Sequence, residues 1–297
     1  MLVFITGATG YVGGSVAARL IARGHRVLGL CRSEEKAAAL QGLGIEPLPG
    51  TLADAAVLAD GARRADAVVN AADSDHLYAA ERLLEALEGS GKPFIQTSGS
   101  SVIADRAAGE PSARIFHEDT PFEPLPERAL RGAIDRTVLA AAHRGVRTVV
   151  LRPGLIYGTG LGLHKESVQI PKLAELARAS GVARHVGRGL NMWSHLHIDD
   201  TAELFLLALE KAPSGSLFYA ENGEATMREL AAAIGRRLGL GEETEPWPIE
   251  EAFRAWGSAA YTSLGSNSRI RADKARAMLG WAPSGPPLIE TVERDAL

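Results

Sequence analysis

One cysteine, Cys31, stands in a chain of 297 residues. A lone thiol closes no internal disulfide, so nothing demands an oxidising compartment, and a reducing cytoplasm is the expectation. Basic residues are not in surplus: 32 Lys and Arg face 36 Asp and Glu, a formal net charge of −4. That balance points away from nucleic acid and from a membrane surface as partners. Long apolar runs are missing too. No stretch reaches the roughly 18 uninterrupted apolar residues of a membrane span. The opening MLVFITGATG has no basic n-region and loses its apolar run at Gly7, too short for a signal peptide. No low-complexity tract or fixed-period repeat is visible. No set of side chains stands at metal-ligand spacing either, so no metal is expected. In His197-Ile198-Asp199-Asp200, Asp199 reads as a helix cap and His197 as a packing side chain.

What remains is an ordinary globular composition, 46% hydrophobic and 23% charged, long enough for one large α/β domain with a smaller lobe. Short apolar runs alternate with helical patterns. LVFIT (Leu2 to Thr6) suits a buried strand, and Val12, Val16, Leu20 and Ile21 then recur at helical spacing up to Gly24. Further strands are predicted at His25 to Cys31, at IEPLP, at Asp66 to Ala72, at Pro93 to Ser98 and at RTVVLRP. Helices are predicted from Ser33 to Leu40, from Leu52 with Thr51 as cap, from Leu77 to Glu88 and from Glu127 to His143. This alternation implies a parallel sheet covered on both faces, a Rossmann-type doubly wound α/β fold. After Gly154 the regularity weakens, with helices at Ile170 to Ala179, Asp200 to Leu209, Met227 to Leu238 and Asp273 to Leu279. Residues 1–154, joined by about 192–212, are expected to form the dinucleotide domain. About 155–191 and 213–297 are expected to form a C-terminal substrate lobe over the carboxyl ends of the strands.

TGATGYVGG joins the first strand to the first helix. Gly7, Gly10 and Gly13 stand three apart, which permits a tight turn and a close approach of backbone to a pyrophosphate. The helix N-terminus then offers free N–H groups to the phosphate. Placed at a strand–helix join with more βα units following, the triplet marks a dinucleotide site.

This segment resembles the TGxxGxxG signature of the short-chain dehydrogenase/reductase superfamily, in its extended and atypical branches that include epimerases and dehydratases. Further segments in the same order are similar to that family: Asn70-Ala71-Ala72 on the fourth strand, Leu151-Arg152-Pro153-Gly154 with Tyr157-Gly158, His197-Ile198-Asp199-Asp200, and Leu279-Gly280-Trp281-Ala282-Pro283. The resemblance implies cofactor contacts from Gly7, Thr9, Gly10, Tyr11, Val12, Gly13, Thr51, Leu52, Asn70, Ala71, Ala72, Thr97, Ser98, Arg131, Pro153 and Gly154. Thr51 departs from the family, which places Asp before that leucine. At the end of the second strand no carboxylate precedes Glu34. Arg32 can pair with a 2′-phosphate and Ser33 can add a hydrogen bond, which favours NADP(H), with NAD(H) as the alternative.

The same family works through Ser/Thr, Tyr and Lys, the last two as YxxxK. None of the five tyrosines here is followed by a lysine four residues on. The tyrosine slot falls on Glu127 and the lysine slot on Arg131. These are four apart on one helix face, so they read as an exposed ion pair, with Arg131 able to hold ribose. Tyr157 is the candidate relocated proton donor, against a packing role. Ser100, beside Gly99 in the family's serine slot, is the candidate hydroxyl facing the substrate. His164 and Lys165, and Asn267, Ser268, Arg269 and Arg271, either line the pocket or lie on solvated loops. The expected function is an NADPH-dependent reductase acting on a small-molecule carbonyl or activated C=C or C=N bond. The alternatives are a sugar-nucleotide epimerase or dehydratase, against which the missing dyad counts, and a non-catalytic NADP(H)-binding redox sensor. In similar proteins the helices matching Leu77 to Glu88 and Glu127 to His143 form a dimer bundle, so the resemblance makes a homodimer a candidate assembly.

Overall fold

The computed structural model of the chain describes residues 1–295. Six strands of the N-terminal half are β1 (Leu2–Thr6), β2 (Arg26–Cys31), β3 (Glu46–Pro49), β4 (Ala67–Asn70), β5 (Pro93–Thr97) and β6 (Arg147–Pro153). Between them run α1 (Tyr11–Ala22), α2 (Glu34–Gly42), α3 (Ala55–Arg64), α4 (Leu77–Leu87) and α5 (Ala129–Ala140). The remaining elements are β7 (Leu155–Tyr157), α6 (Gln169–Ser180), β8 (Ala183–Val186), β9 (Met192–His197), α7 (Ile198–Lys211), β10 (Ser216–Ala220) and β11 (Glu224–Thr226). They continue with α8 (Met227–Arg237), β12 (Thr244–Trp247), α9 (Ile249–Trp256), α10 (Asp273–Leu279) and α11 (Leu288–Arg294).

Seven strands form one parallel sheet in the order β10-β6-β5-β4-β1-β2-β3. The order reverses between β1 and β4, and ligands bind such sheets in the crevice at that reversal. Both faces are dry. On one, Val3, Ile5, Val69 and Leu151 pack with Val16 and Leu20 of α1 and Phe205 of α7. On the other, Phe4, Val68 and Phe94 pack with Leu58 of α3 and Leu83 and Leu87 of α4. Each fully buried leucine there contributes about 1.5–3 kcal/mol. No helix of the described residues is long and apolar enough to cross a membrane.

The expected division at residue 213 is corrected. β10 completes the sheet by pairing with the open edge of β6. Ala272, Ala275, Leu279 and Trp281 then close the same core as α7. Conversely β9, expected with the dinucleotide domain, pairs with β7 and β11 in a separate three-stranded sheet. Leu155, Ile170, Trp193, Leu230 and Trp247 form the core of this smaller lobe.

Two caps also differ from expectation. Asp54 turns its carboxylate back to accept from the Thr51 N–H and hydroxyl, both at 2.7 Å. That closes a turn, so α3 starts at Ala55 rather than Leu52. At α7 it is His197, not Asp199, that accepts the free N–H, from Asp199 at 3.3 Å.

Candidate active site

A groove of about 590 Å³ lies along the carboxyl ends of β1, β2 and β4. Gly7, Thr9, Gly10, Arg32, Thr51, Leu52, Ala71 and Ala72 line it, and so do Cys31, Lys36, Asp73 and His76. Gly7 adopts φ +76°, and a Cβ there would stand 2.6 Å from the Ala71 carbonyl oxygen. A Cβ on Gly13 would meet the Gly7 oxygen at 2.3 Å. Only glycine therefore lets the turn lie this close to β4. Gly10 caps α1 with no side-chain acceptor, which leaves the helix N-terminus to a ligand. An uncapped helix end, a glycine turn and an elongated groove at the strand reversal fit a dinucleotide. Lys36 was missed in the sequence, although it follows Arg32 by four residues in the first turn of the next helix.

Other expected cofactor side chains are spent inside the protein. Asn70 accepts from the Thr6 hydroxyl at 2.5 Å and donates to Gln96 at 2.8 Å. Ser33 accepts from the Lys36 N–H and caps α2. Val12 packs against the core, and Tyr11 donates to the Gly158 carbonyl at 2.7 Å. Ser98 donates to Asp135 at 2.8 Å. Pro153 ends β6, and Gly154 runs so close to β9 that a Cβ would lie 2.2 Å from the Ser194 oxygen. The Thr97 hydroxyl is buried with no partner among the described residues.

Two candidate catalytic groups are corrected. The Tyr157 hydroxyl donates to the Pro286 carbonyl at 2.7 Å, and its ring stands edge-on to His195 and His197. Burial, then the charge of Asp200, holds the phenol well above its usual value. Pairing of β7 with β9 turns this side chain into the smaller lobe, where it lines a different cavity with Ser167, Ile170 and Thr291. Ser100 is buried in a short 3₁₀ turn and accepts from Ser268 at 2.7 Å. Of the loop candidates, Asn267 and Arg269 line a cavity of about 320 Å³ beside Phe116 and Phe122, while Arg271 pairs with Glu224. Lys165 lines the Tyr157 cavity.

The expected Glu127–Arg131 pair does not form. Glu127 pairs with Arg106 at 2.6 Å. Its carboxyl is held below the usual range by its own backbone N–H and then by Arg106, so it stays ionised. Arg131 instead donates through Nε and Nη2 to the two oxygens of Asp75, at 2.9 and 2.6 Å, and through Nη1 to Ser101 at 3.0 Å. Asp75 lies on the loop after β4, just past the groove residue Asp73. Gly99 faces Nη1, which stands 3.5 Å from where a Cβ would be, an ordinary contact distance. Three of five N–H donors are used, which leaves two.

Beneath this rim, Asp135 of α5 accepts from Arg152 of β6 at 2.8 Å as well as from Ser98. The loop after β7 lies on α1. Leu161 N–H donates to the Ser15 hydroxyl, and the backbones of Gly14 and Gly162 cross so closely that a Cβ on Gly162 would meet the Gly14 Cα at 2.6 Å. Among the described residues no group of histidine, cysteine and carboxylate side chains is placed to hold a metal.

Residues 3–219 match the family described as NAD dependent epimerase/dehydratase. The chain belongs to that family. By membership it is an NAD(P)-dependent oxidoreductase, and its doubly wound sheet is the family's. An uncharacterized protein of Schizosaccharomyces pombe is 32% identical over all of this chain and 99% of its own length. The 4-hydroxy-2-methyl-3-oxo-4-farnesyl-3,4-dihydroquinoline-1-oxide ketoreductase of Stigmatella aurantiaca is 28% identical over 95% of this chain and 92% of its own. Among solved structures, the dTDP-glucose 4,6-dehydratase of Bacillus anthracis in complex with NAD superposes with a TM-score of 0.78 at 19% identity, covering 99% of this chain and 94% of that one.

Proposed function

We propose that the protein is an NADPH-dependent reductase of a small-molecule carbonyl or activated C=C or C=N bond. The observation that carries the cofactor preference is the pair Arg32 and Lys36. Both line the groove at the end of β2, and Glu34 and Glu35 do not. Two cations suit a 2′-phosphate, where a carboxylate would suit an unmodified ribose. The α1 N-terminus takes the pyrophosphate. When bound, the dinucleotide supplies the hydride. Arg131, ion-paired with Asp75 just past the groove, would offer its two remaining N–H donors to negative charge developing on the substrate, and it cannot give up a proton itself. Tyr157 is turned away and Glu127 is ionised, so neither supplies the product's proton. The ketoreductase relative supports a carbonyl substrate. The missing YxxxK speaks against an epimerase or dehydratase, which must first oxidise a hydroxyl with a strong base.

The test compares NADPH and NADH affinity by cofactor fluorescence in the wild type and in Arg32→Ala/Lys36→Ala. The preference should fall by about tenfold or more, since hydrogen bonds to charged groups are worth roughly 1.5–3 kcal/mol. An unchanged ratio would remove both residues from the argument. A carbonyl panel read by NADPH absorbance then separates a reductase from a sensor, which binds and never turns over. Assembly as a homodimer through α4 and α5 is proposed from the exposed Tyr78 and Leu130 on those helices.

A further inference from the structure

The start of α5 carries a second arginine that the reductase reading leaves unused. Arg128 ends the short 3₁₀ turn Pro126–Arg128 and is the N-cap residue of α5, three residues before Arg131. Arg128 donates through Nη2 to the Thr262 hydroxyl of the smaller lobe at 2.8 Å. Its Nε is buried and has no acceptor among the described residues. Burial, then the charge of Arg131, holds the Arg128 guanidinium below its usual value, while the charges of Asp75 and Glu127 act the other way. The helix end adds to this field: α5 has no side-chain N-cap and no acidic residue in its first turn. Against these three positive sources stand two carboxylates. Glu127 is engaged by Arg106. Asp75 is the other, and its side chain is 39% exposed where that of Arg131 is 17% exposed.

The two-oxygen contact between Asp75 and Arg131 shows which shape this fork accepts. We propose that Arg128 and Arg131 form the specificity site for an anionic ketone, whose carboxylate is held between them and displaces Asp75, the resident counter-ion. This rests on the reductase reading and names its substrate class. The smaller lobe takes part through Thr262, whose hydroxyl accepts from Arg128.

Acetoacetate and methyl acetoacetate test it, because they share the ketone and differ in the charge. Binding to the full chain is measured by calorimetry, with and without NADP⁺, which cannot reduce the ketone. Acetoacetate should bind about tenfold or more tightly than its ester, the scale of a hydrogen bond to a charged group. Arg128→Gln should erase that difference. Asp75→Asn should tighten acetoacetate several-fold and leave the ester unchanged, which a merely structural ion pair would not do. Equal affinities in the wild type would overturn the proposal, as would an Asp75→Asn chain that binds acetoacetate more weakly. Inorganic phosphate at matched ionic strength should compete poorly, and competition equal to acetoacetate would make carboxylate the wrong class. If NADPH fails to bind, or if no ketone of the carbonyl panel is reduced, the reductase reading falls. The calorimetry without cofactor still judges the anion site.

Discussion

Replacing Asp135 by alanine strips the buried counter-charge from Arg152. The two side chains are 1% and 7% exposed, and Arg152 Nε donates to Asp135 at 2.8 Å. Removing one partner of such a pair leaves an uncompensated buried charge, at a cost of about 3–5 kcal/mol. For a chain of this size each kcal/mol moves the melting temperature by roughly 2–3 °C, so Asp135→Ala should melt roughly 6–15 °C lower in calorimetric scans at one fixed rate. Asp135→Leu with Arg152→Met removes both charges and should lose far less, because a buried pair contributes little net stability over apolar replacements. The pH dependence sharpens the test. Burial outweighs Arg152 and holds the Asp135 carboxyl above its usual range. The folded chain therefore binds that proton more tightly than the unfolded one. The stability linked to it is fully present below the unfolded value of about 3.9 and is lost as pH rises through the folded value. The deficit of Asp135→Ala should hold or widen on acidification from neutral pH toward about pH 4. A deficit that shrinks in acid, or a loss below about 3 °C, would refute the reasoning.

Glu221 should behave in the opposite sense. It is buried, which works to raise its pKa, yet the N–H groups of Gly223 and Ala272 and the Arg276 guanidinium hold it below the usual range. Its contribution is present above the unfolded value and is lost as pH falls through the folded one. Glu221→Gln should therefore cost about 1–3 kcal/mol in urea unfolding at neutral pH, with the deficit narrowing below about pH 4. Tyr157→Phe should leave the turnover of any substrate unchanged while lowering stability by about 1–3 kcal/mol, because it orphans the Pro286 carbonyl. A collapse in turnover with intact stability would restore Tyr157 as a proton donor.

Much of the fold was legible because its signals are local. The apolar runs at Leu2 and Pro93 and the glycine turn at Gly7 each declare their structure within about ten residues. The resemblance to the dehydrogenase/reductase superfamily held for the same reason. β10 was missed as a sheet strand because its partner, β6, is distant in sequence and its membership depends on an open edge. The site was less legible. Arg131 was seen, but its partner Asp75 lies 56 residues away, and the Thr262 contact of Arg128 spans 134. Arginines on a first helical turn read as solvated until the opposing surface is known. Tyr157 failed for a related reason: its direction is set by pairing with His197 across a strand that the sequence alone does not place beside it.

The crossing of Gly14 and Gly162 has a mechanical consequence. With no side chain on either residue, the loop after β7 is fastened to the dinucleotide helix at backbone distance. A parting of the two lobes must either tear this contact or turn about it as a pivot. In the second case the travel is smallest at the crossing and grows with distance from it. The crossing would then act as a hinge pin that has no side chain to wear against.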